Sequence, residues 1–159
     1  MKKIVLLLFA VFMIQLHFTS ATFASGDRIR AGQALEYGAW LTSMNSKYTL
    51  RFSVYNDLYI KRYNPKPTTV IWSVNTNRAG NSLKLDFYSG KLVILRGNGD
   101  PIWYSDNAAW SNIHYQGKPP ANLRGDLLIM QDDGNLVLYN TTDLNQGWYP
   151  VWASDTWER

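Results

Sequence analysis

The stretch YPVWASDT, Tyr149–Thr156, has two variant copies earlier in the chain: TVIWSVNT, Thr69–Thr76, and DPIWYSDN, Asp100–Asn107. Each copy has an aliphatic residue, a tryptophan, a short gap and a small polar tail, so Trp72, Trp103 and Trp152 are three instances of one position. A hairpin-like unit precedes each one: RFSVYNDLYIKR from Arg51, LDFYSGKLVILR from Leu85 and LIMQDDGNLVLYN from Leu128. A threefold internal repeat accounts for this order. Three units, each turning one tryptophan inward, can meet around a common axis and bury indoles that no single small sheet would cover.

The rest of the chain supports the same reading. Segments such as YTLRFSVY, LYIKRY, TTVIWSV, SLKLDFY, KLVILR, PIWYS, DLLIMQ, NLVLYN and PVWAS are short, rich in β-branched and aromatic residues, and separated by Gly, Pro, Asn and Asp. No long window carries apolar residues at helical spacing with capping signals. The class is therefore all-β. The spacing of the copies is uneven, and the longer interval contains WSNIHYQGKPPANLRG, which reads as a surface loop because Gly117, Pro119, Pro120 and Gly125 interrupt any regular pattern.

The chain opens MKKIVLLLFAVFMIQLHFTSATFASG, with Lys2 and Lys3 ahead of the apolar run Ile4 to Ile14 and small residues around Ala21 and Ala24. This is the pattern of a secretory signal peptide over 1–24, followed by one domain over 25–159 and a secreted, extracellular product. The run is shorter than the ~20 apolar residues a spanning helix needs, so no membrane span is expected. About 135 residues remain, enough for one domain with its own core. Loss of Lys2 and Lys3 takes the formal charge from +4 to about +2, with the basic residues dispersed. Nucleic acid is thus not an expected partner. There is no cysteine, so stability rests on packing, for which the chain has seven tryptophans, ten tyrosines and six phenylalanines.

The third unit adds ordered polar chemistry to its turn. In QDDGNLVLYN, Gln131–Asn140, the residues Gln131, Asp133, Asn135, Val137 and Tyr139 match the pattern Q-x-D-x-N-x-V-x-Y at every position. This resembles the signature of the bulb-type, or monocot-type, mannose-binding lectin domain. The resemblance extends along the chain: GDRIRAGQAL is similar to the family's opening strand and turn, YGAWLTSMNSKYTLRF to its first repeat and PVWASDT to its closing strand. It implies a β-prism II of three antiparallel sheets, and a homodimer in which the closing strand is exchanged. It further implies that Gln131, Asp133 and Asn135 bond the hydroxyls at carbons 2 and 3 of mannose, Tyr139 bonds that at carbon 4, and Val137 packs on the ring.

Elementary geometry agrees with such a patch. With Asp132, Asp133 and Gly134 at the tip, strand alternation sets Asn135, Val137 and Tyr139 on one face and turns Leu136 and Leu138 to the core. A sugar with an axial hydroxyl offers adjacent donors and acceptors that such side chains can pair. Each net hydrogen bond contributes only about 0.5–1.5 kcal/mol, so a single site has a dissociation constant of roughly millimolar order. Multivalence must supply the rest. Aligning the hairpin tips sets Ser53, Tyr55, Asp57, Tyr59 and Lys61 at the first equivalent site and Phe87, Ser89, Lys91, Val93 and Leu95 at the second. Only Val93 agrees with the signature, so both are expected to be silent for mannose, which leaves one intact site per chain.

Other chemistry finds little support. There is no cysteine nucleophile, no Ser-His-Asp spacing and no cluster suited to a metal, and adjacent Asp132 and Asp133 cannot straddle a glycosidic bond. The chain is not read as an enzyme, and no cofactor is expected. His114 reads as a solvated loop residue and the Arg124–Asp126 RGD as a chance tripeptide. Asn140-Thr141-Thr142 is a glycosylation sequon immediately after Tyr139. The principal reading is a lectin for mannose-rich glycans, acting in defence. The alternative is a bacteriocin-type or protein-interaction module with an auxiliary sugar site.

Overall fold

The computed structural model describes residues 26–63 and 66–157; the expected signal peptide lies outside them. Twelve strands form three antiparallel four-stranded sheets. The N-terminal part supplies one short strand to each sheet in turn: β1 (Arg28–Arg30), β2 (Ala34–Glu36) and β3 (Trp40–Thr42). Three consecutive strands then complete each sheet. The first repeat is β4 (Tyr48–Phe52), β5 (Leu58–Arg62) and β6 (Thr69–Val74) beside β3. The second is β7 (Ser82–Leu85), β8 (Leu92–Leu95) and β9 (Pro101–Tyr104) beside β2. The third is β10 (Leu127–Met130), β11 (Leu136–Asn140) and β12 (Tyr149–Ala153) beside β1. The strands are those the sequence pattern predicts, and the three-sheet prism is the one the family resemblance implied.

One device recurs in all three sheets. Leu138 pairs with Trp152, Ile60 with Trp72 and Ile94 with Trp103, and directly after each pair the register slips. The slip leaves Val151, Ile71 and Ile102 as extra residues on the last strand of each repeat. Such a bulge breaks strict alternation, so the aliphatic residue and the tryptophan after it both pack on the core. That is the physical content of the aliphatic-Trp motif. The three indoles meet as expected: Trp152 is 8% exposed and lies 6.0 Å from Trp72 and 6.0 Å from Trp103, edge to face in both pairs. Around them Leu41, Leu50, Ile60, Leu83, Ile94 and Leu138 fill the space between the sheets.

The segment read as a surface loop contains the helix α1 (Asn107–His114). Asp106 caps it by accepting from the Ala109 amide at 3.0 Å, and it ends where Gln116 and Gly117 turn to positive φ, with Gly117 N–H donating to Asn112 O. His114 is therefore an exposed helix residue, stacked on Trp110 at 4.4 Å. Apolar periodicity did not reveal this helix because the side it buries carries Asn107 and Ser111. The helix is fastened to β12: Ser111 Oγ donates to Val151 O (3.0 Å), Tyr115 Oη to Pro150 O (2.9 Å) and Trp110 Nε1 to Asp155 (3.0 Å). The closing strand thus pairs with β11 of its own chain and is covered along its outer side.

Candidate functional site

The hairpin between β10 and β11 carries all five signature residues. Its tip is closed by Gln131 N–H donating to Asn135 O (2.9 Å) and by Gly134 N–H donating to Gln131 O (3.2 Å). Gly134 has φ 91°, and a β-carbon there would stand 2.6 Å from the Tyr48 ring, so conformation and space both require glycine. Asp133 accepts from the Asn135 amide at 2.9 Å, an Asx turn that rigidifies the tip. Leu136 and Leu138 enter the core as alternation requires.

The polar residues on the other face are held before any ligand arrives. Gln131 Nε2 donates to Tyr139 Oη at 2.8 Å, which orients the phenolic hydrogen away from Gln131. Asn135 Oδ1 accepts from Ser154 Oγ (3.1 Å) and Thr156 N–H (3.2 Å), and the backbone donor identifies that atom as oxygen. The amide nitrogen of Asn135 is thereby directed away from this latch. Asp133 is exposed, while Gln131, Asn135 and Tyr139 are half-buried. Val137 is 4% exposed, flanked by its cross-strand neighbours Ile129 and Ala153, so it forms a floor with little open surface.

Sequence reasoning missed several residues that shape this hairpin. The small polar tail after each tryptophan is a latch. Thr156 Oγ1 donates to Gly134 O (2.7 Å), Thr76 Oγ1 to Asn56 O (2.9 Å) and Asn107 Nδ2 to Gly90 O (3.1 Å), joining each last strand to its own hairpin tip. The repeated tail was visible in the sequence, but its role was not. Trp148, 61% exposed, lies 6.3 Å from Tyr139 and extends the patch with an aromatic face. Tyr115 from the helix is close enough that the charge of Tyr139 adds to the effect of burial in raising its pKa.

The other two repeats carry the expected unmatched residues, with one correction. In the first, Ser53 N–H donates to Asp57 O, the counterpart of the bond from Gln131 to Asn135, so Ser53, Tyr55, Asp57, Tyr59 and Lys61 occupy the aligned positions. In the second, Asp86 N–H donates to Lys91 O, and the tip is one residue longer. Asp86 therefore stands where Gln131 does in the third repeat, and Phe87 is part of the longer tip. Hydrogen bonds from Ser89 hold the Asp86 carboxyl below the usual carboxylate range.

Two short motifs are absorbed by the fold. Asn140 is 0% exposed, its Nδ2 donates to Arg124 O and its Oδ1 accepts from the amides of Thr142 and Asp143, so the sequon's side-chain amide is buried within the fold. In the RGD tripeptide, Arg124 donates to Phe87 O, Gly125 presses on Leu138 and both Asp126 oxygens bond Thr141. No adhesion loop is presented. Among the described residues no group of three or more His, Cys, Asp or Glu is arranged to hold a metal ion, and no helix is long and apolar enough to cross a membrane.

The three-sheet prism is the β-prism II fold of lectins, which are non-enzymatic carbohydrate-binding proteins. The solved structures that this chain resembles are mostly bulb-type mannose-binding lectins. The Marasmius oreades lectin superposes with a TM-score of 0.62 at 19% identity, over 84% of this chain and 93% of that one. A monomeric monocot mannose-binding lectin from Gastrodia elata gives a TM-score of 0.58 at 25% identity, over 82% of this chain and 96% of that one. The mannose-specific bulb lectin of bluebell, Scilla campanulata, gives 0.50 at 23% identity, over 72% and 91%. No protein-family model matches the sequence, and no curated protein matches it.

Proposed function

We propose that this protein is a secreted lectin that binds α-D-mannose or mannose-rich glycans through one site per chain, formed by Gln131, Asp133, Asn135, Val137 and Tyr139, and that it acts in defence. The observation carrying this reading is the pre-set polar hairpin. Gln131 and Tyr139 are already bonded to each other, and Asn135 has its oxygen engaged by Ser154 and Thr156 with its amide nitrogen directed elsewhere. A sugar then meets fixed donors and acceptors, which reduces the ordering cost of binding. In this assignment Asp133 and Gln131 Oε1 accept from sugar hydroxyls, Asn135 Nδ2 donates, the Tyr139 hydroxyl takes the next hydroxyl along the ring, and Val137 forms the floor.

A few net hydrogen bonds support only roughly millimolar affinity per site. Avidity on a glycan surface therefore comes from a homodimer. Exchange of β12 between subunits is one route to it, and it would have to release the bonds from Ser111 and Tyr115 that tie this strand to its own helix.

The test is binding of the purified protein to a mannose-rich glycan surface, with methyl α-mannoside as competitor and Asp133→Ala alongside. Competable binding that the substitution abolishes is the expected outcome. Binding indifferent to both the sugar and the substitution would refute the site and favour a protein-interaction role for the prism.

A further inference from the structure

An open concavity lies away from the mannose hairpin, over the outer face of the first-repeat sheet. It encloses about 580 Å³, within the roughly 300–1,000 Å³ typical of ligand pockets. Strand register fixes its floor. Trp40, Arg51, Tyr59 and Ser73 stand opposite one another in one row across β3, β4, β5 and β6, and Lys61 stands beside Val70 in the next. Tyr55, 59% exposed, rises from the hairpin tip as a wall, with the Arg78 guanidinium 4.9 Å from its ring. Trp40, 53% exposed, continues the row beyond Arg51 as an aromatic platform.

The charges in this groove are unequal. Arg51 and Lys61 line it, and Arg78 stands over Tyr55, against the single lining acid Asp57. Asp57 is engaged in the fold, because its Oδ1 accepts from the Thr76 amide at 2.8 Å. Guanidinium presents a planar fork that suits a carboxylate, and tyrosine and tryptophan faces suit the C–H face of a sugar ring. Ser73 and Asn75 in the lining add polar groups for hydroxyls.

We infer that this groove is a second binding site, selective for sugars that carry a carboxylate, namely uronic acid residues of an acidic polysaccharide. Arg51 and Lys61 pair with the carboxylate, Tyr59 and Tyr55 pack on the ring, and Trp40 receives the next unit of the chain. The site does not depend on the mannose hairpin, since the two lie on different sheets. The substitutions that silence the first repeat for mannose, Tyr59 where Val137 stands and Lys61 where Tyr139 stands, are the ones that create it.

Calorimetric titration of the whole protein with a short oligogalacturonate tests the inference, with the same oligomer fully methyl-esterified and a sulfated oligosaccharide of equal length as controls. The acid form should bind, the ester at least tenfold more weakly, and rising salt should weaken the acid form because the charges are only partly buried. Lys61→Gln should reduce affinity by roughly fivefold or more, while Asp133→Ala leaves it unchanged. Arg51→Gln should do the same as Lys61→Gln; if it lowers the thermal midpoint, the comparison rests on Lys61→Gln. Failure of the wild type to bind, equal binding of the ester, or wild-type affinity in Lys61→Gln would overturn the site. Tighter binding of the sulfated chain would overturn its assignment to carboxylates. Loss of oligogalacturonate binding in Asp133→Ala would show that both ligands share the mannose hairpin, which also overturns it.

Discussion

Asn45, in the turn between β3 and β4, grips Asp132 twice: its backbone N–H donates to the Asp132 carboxylate at 2.7 Å and its side-chain amide to the Asp132 carbonyl at 2.8 Å. The first repeat thereby braces the hairpin tip of the third, which carries Asp133. Asn45 Oδ1 also accepts from Ser43 Oγ and Lys47 N–H, so one side chain organises its own turn and the neighbouring tip.

Replacing Asn45 with alanine should therefore affect a site it does not touch. We expect a loss of about 1 kcal/mol in stability and several-fold weaker binding to a mannose-rich surface, read by thermal unfolding and surface binding of the same preparation. Wild-type affinity in Asn45→Ala would show that the tip holds its shape without the brace.

At Gly134 the expected effect is larger. Alanine there meets both the positive φ and the Tyr48 ring, a combination that costs of order 1–3 kcal/mol. Adding Tyr48→Leu relieves the contact and leaves the backbone strain, so the double variant should recover only part of the loss in denaturant unfolding.

The three central indoles are not equivalent. Trp152 touches both others and is buried, whereas Trp72 and Trp103 are partly exposed. Trp152→Ala should cost about 3–5 kcal/mol, more than Trp72→Ala or Trp103→Ala, as measured by the midpoint of urea unfolding. Equal costs would mean that the axis is shared evenly.

Produced in a cell that glycosylates, the folded protein should carry an unmodified Asn140, because that side chain is 0% exposed and a glycan on its nitrogen has no room in the fold. Intact mass spectrometry of the folded, secreted protein checks this directly. Asn140→Gln should destabilise the protein, since the amide also accepts from two backbone amides.

Stability should decline in strong alkali through Tyr149. Its one hydroxyl hydrogen is shared between Asn122 O (2.8 Å) and the Asp143 carboxylate (3.2 Å), and burial, then the interaction with Asp143, pushes its pKa from 10.0 up to about 12. The unfolded chain loses this proton first, so between those values the folded state holds more protons and stability falls as pH rises. The contribution is fully present below pH 10.0 and gone above about 12. Tyr149→Phe should flatten that part of the stability profile, as followed by urea unfolding at stepped pH.

The threefold repeat, the strands, the inward tryptophans and the polar hairpin were legible in the sequence because each depends on neighbours within a few residues. Alternation set Leu136 and Leu138 inward, and the repeated tail flagged a common position. Tertiary structure decided the rest. The bulges that turn Val151 and Trp152 inward together exist only in the pairing of β11 with β12. The longer second tip that exchanged Asp86 for Phe87 showed only in the bond from Asp86 to Lys91. Helix α1 carries no local signal because it buries polar side chains whose partners are carbonyls 16 to 40 residues away. The row of Trp40, Arg51, Tyr59 and Ser73 unites four strands, and local periodicity says nothing about which residues distant in the chain will stand side by side.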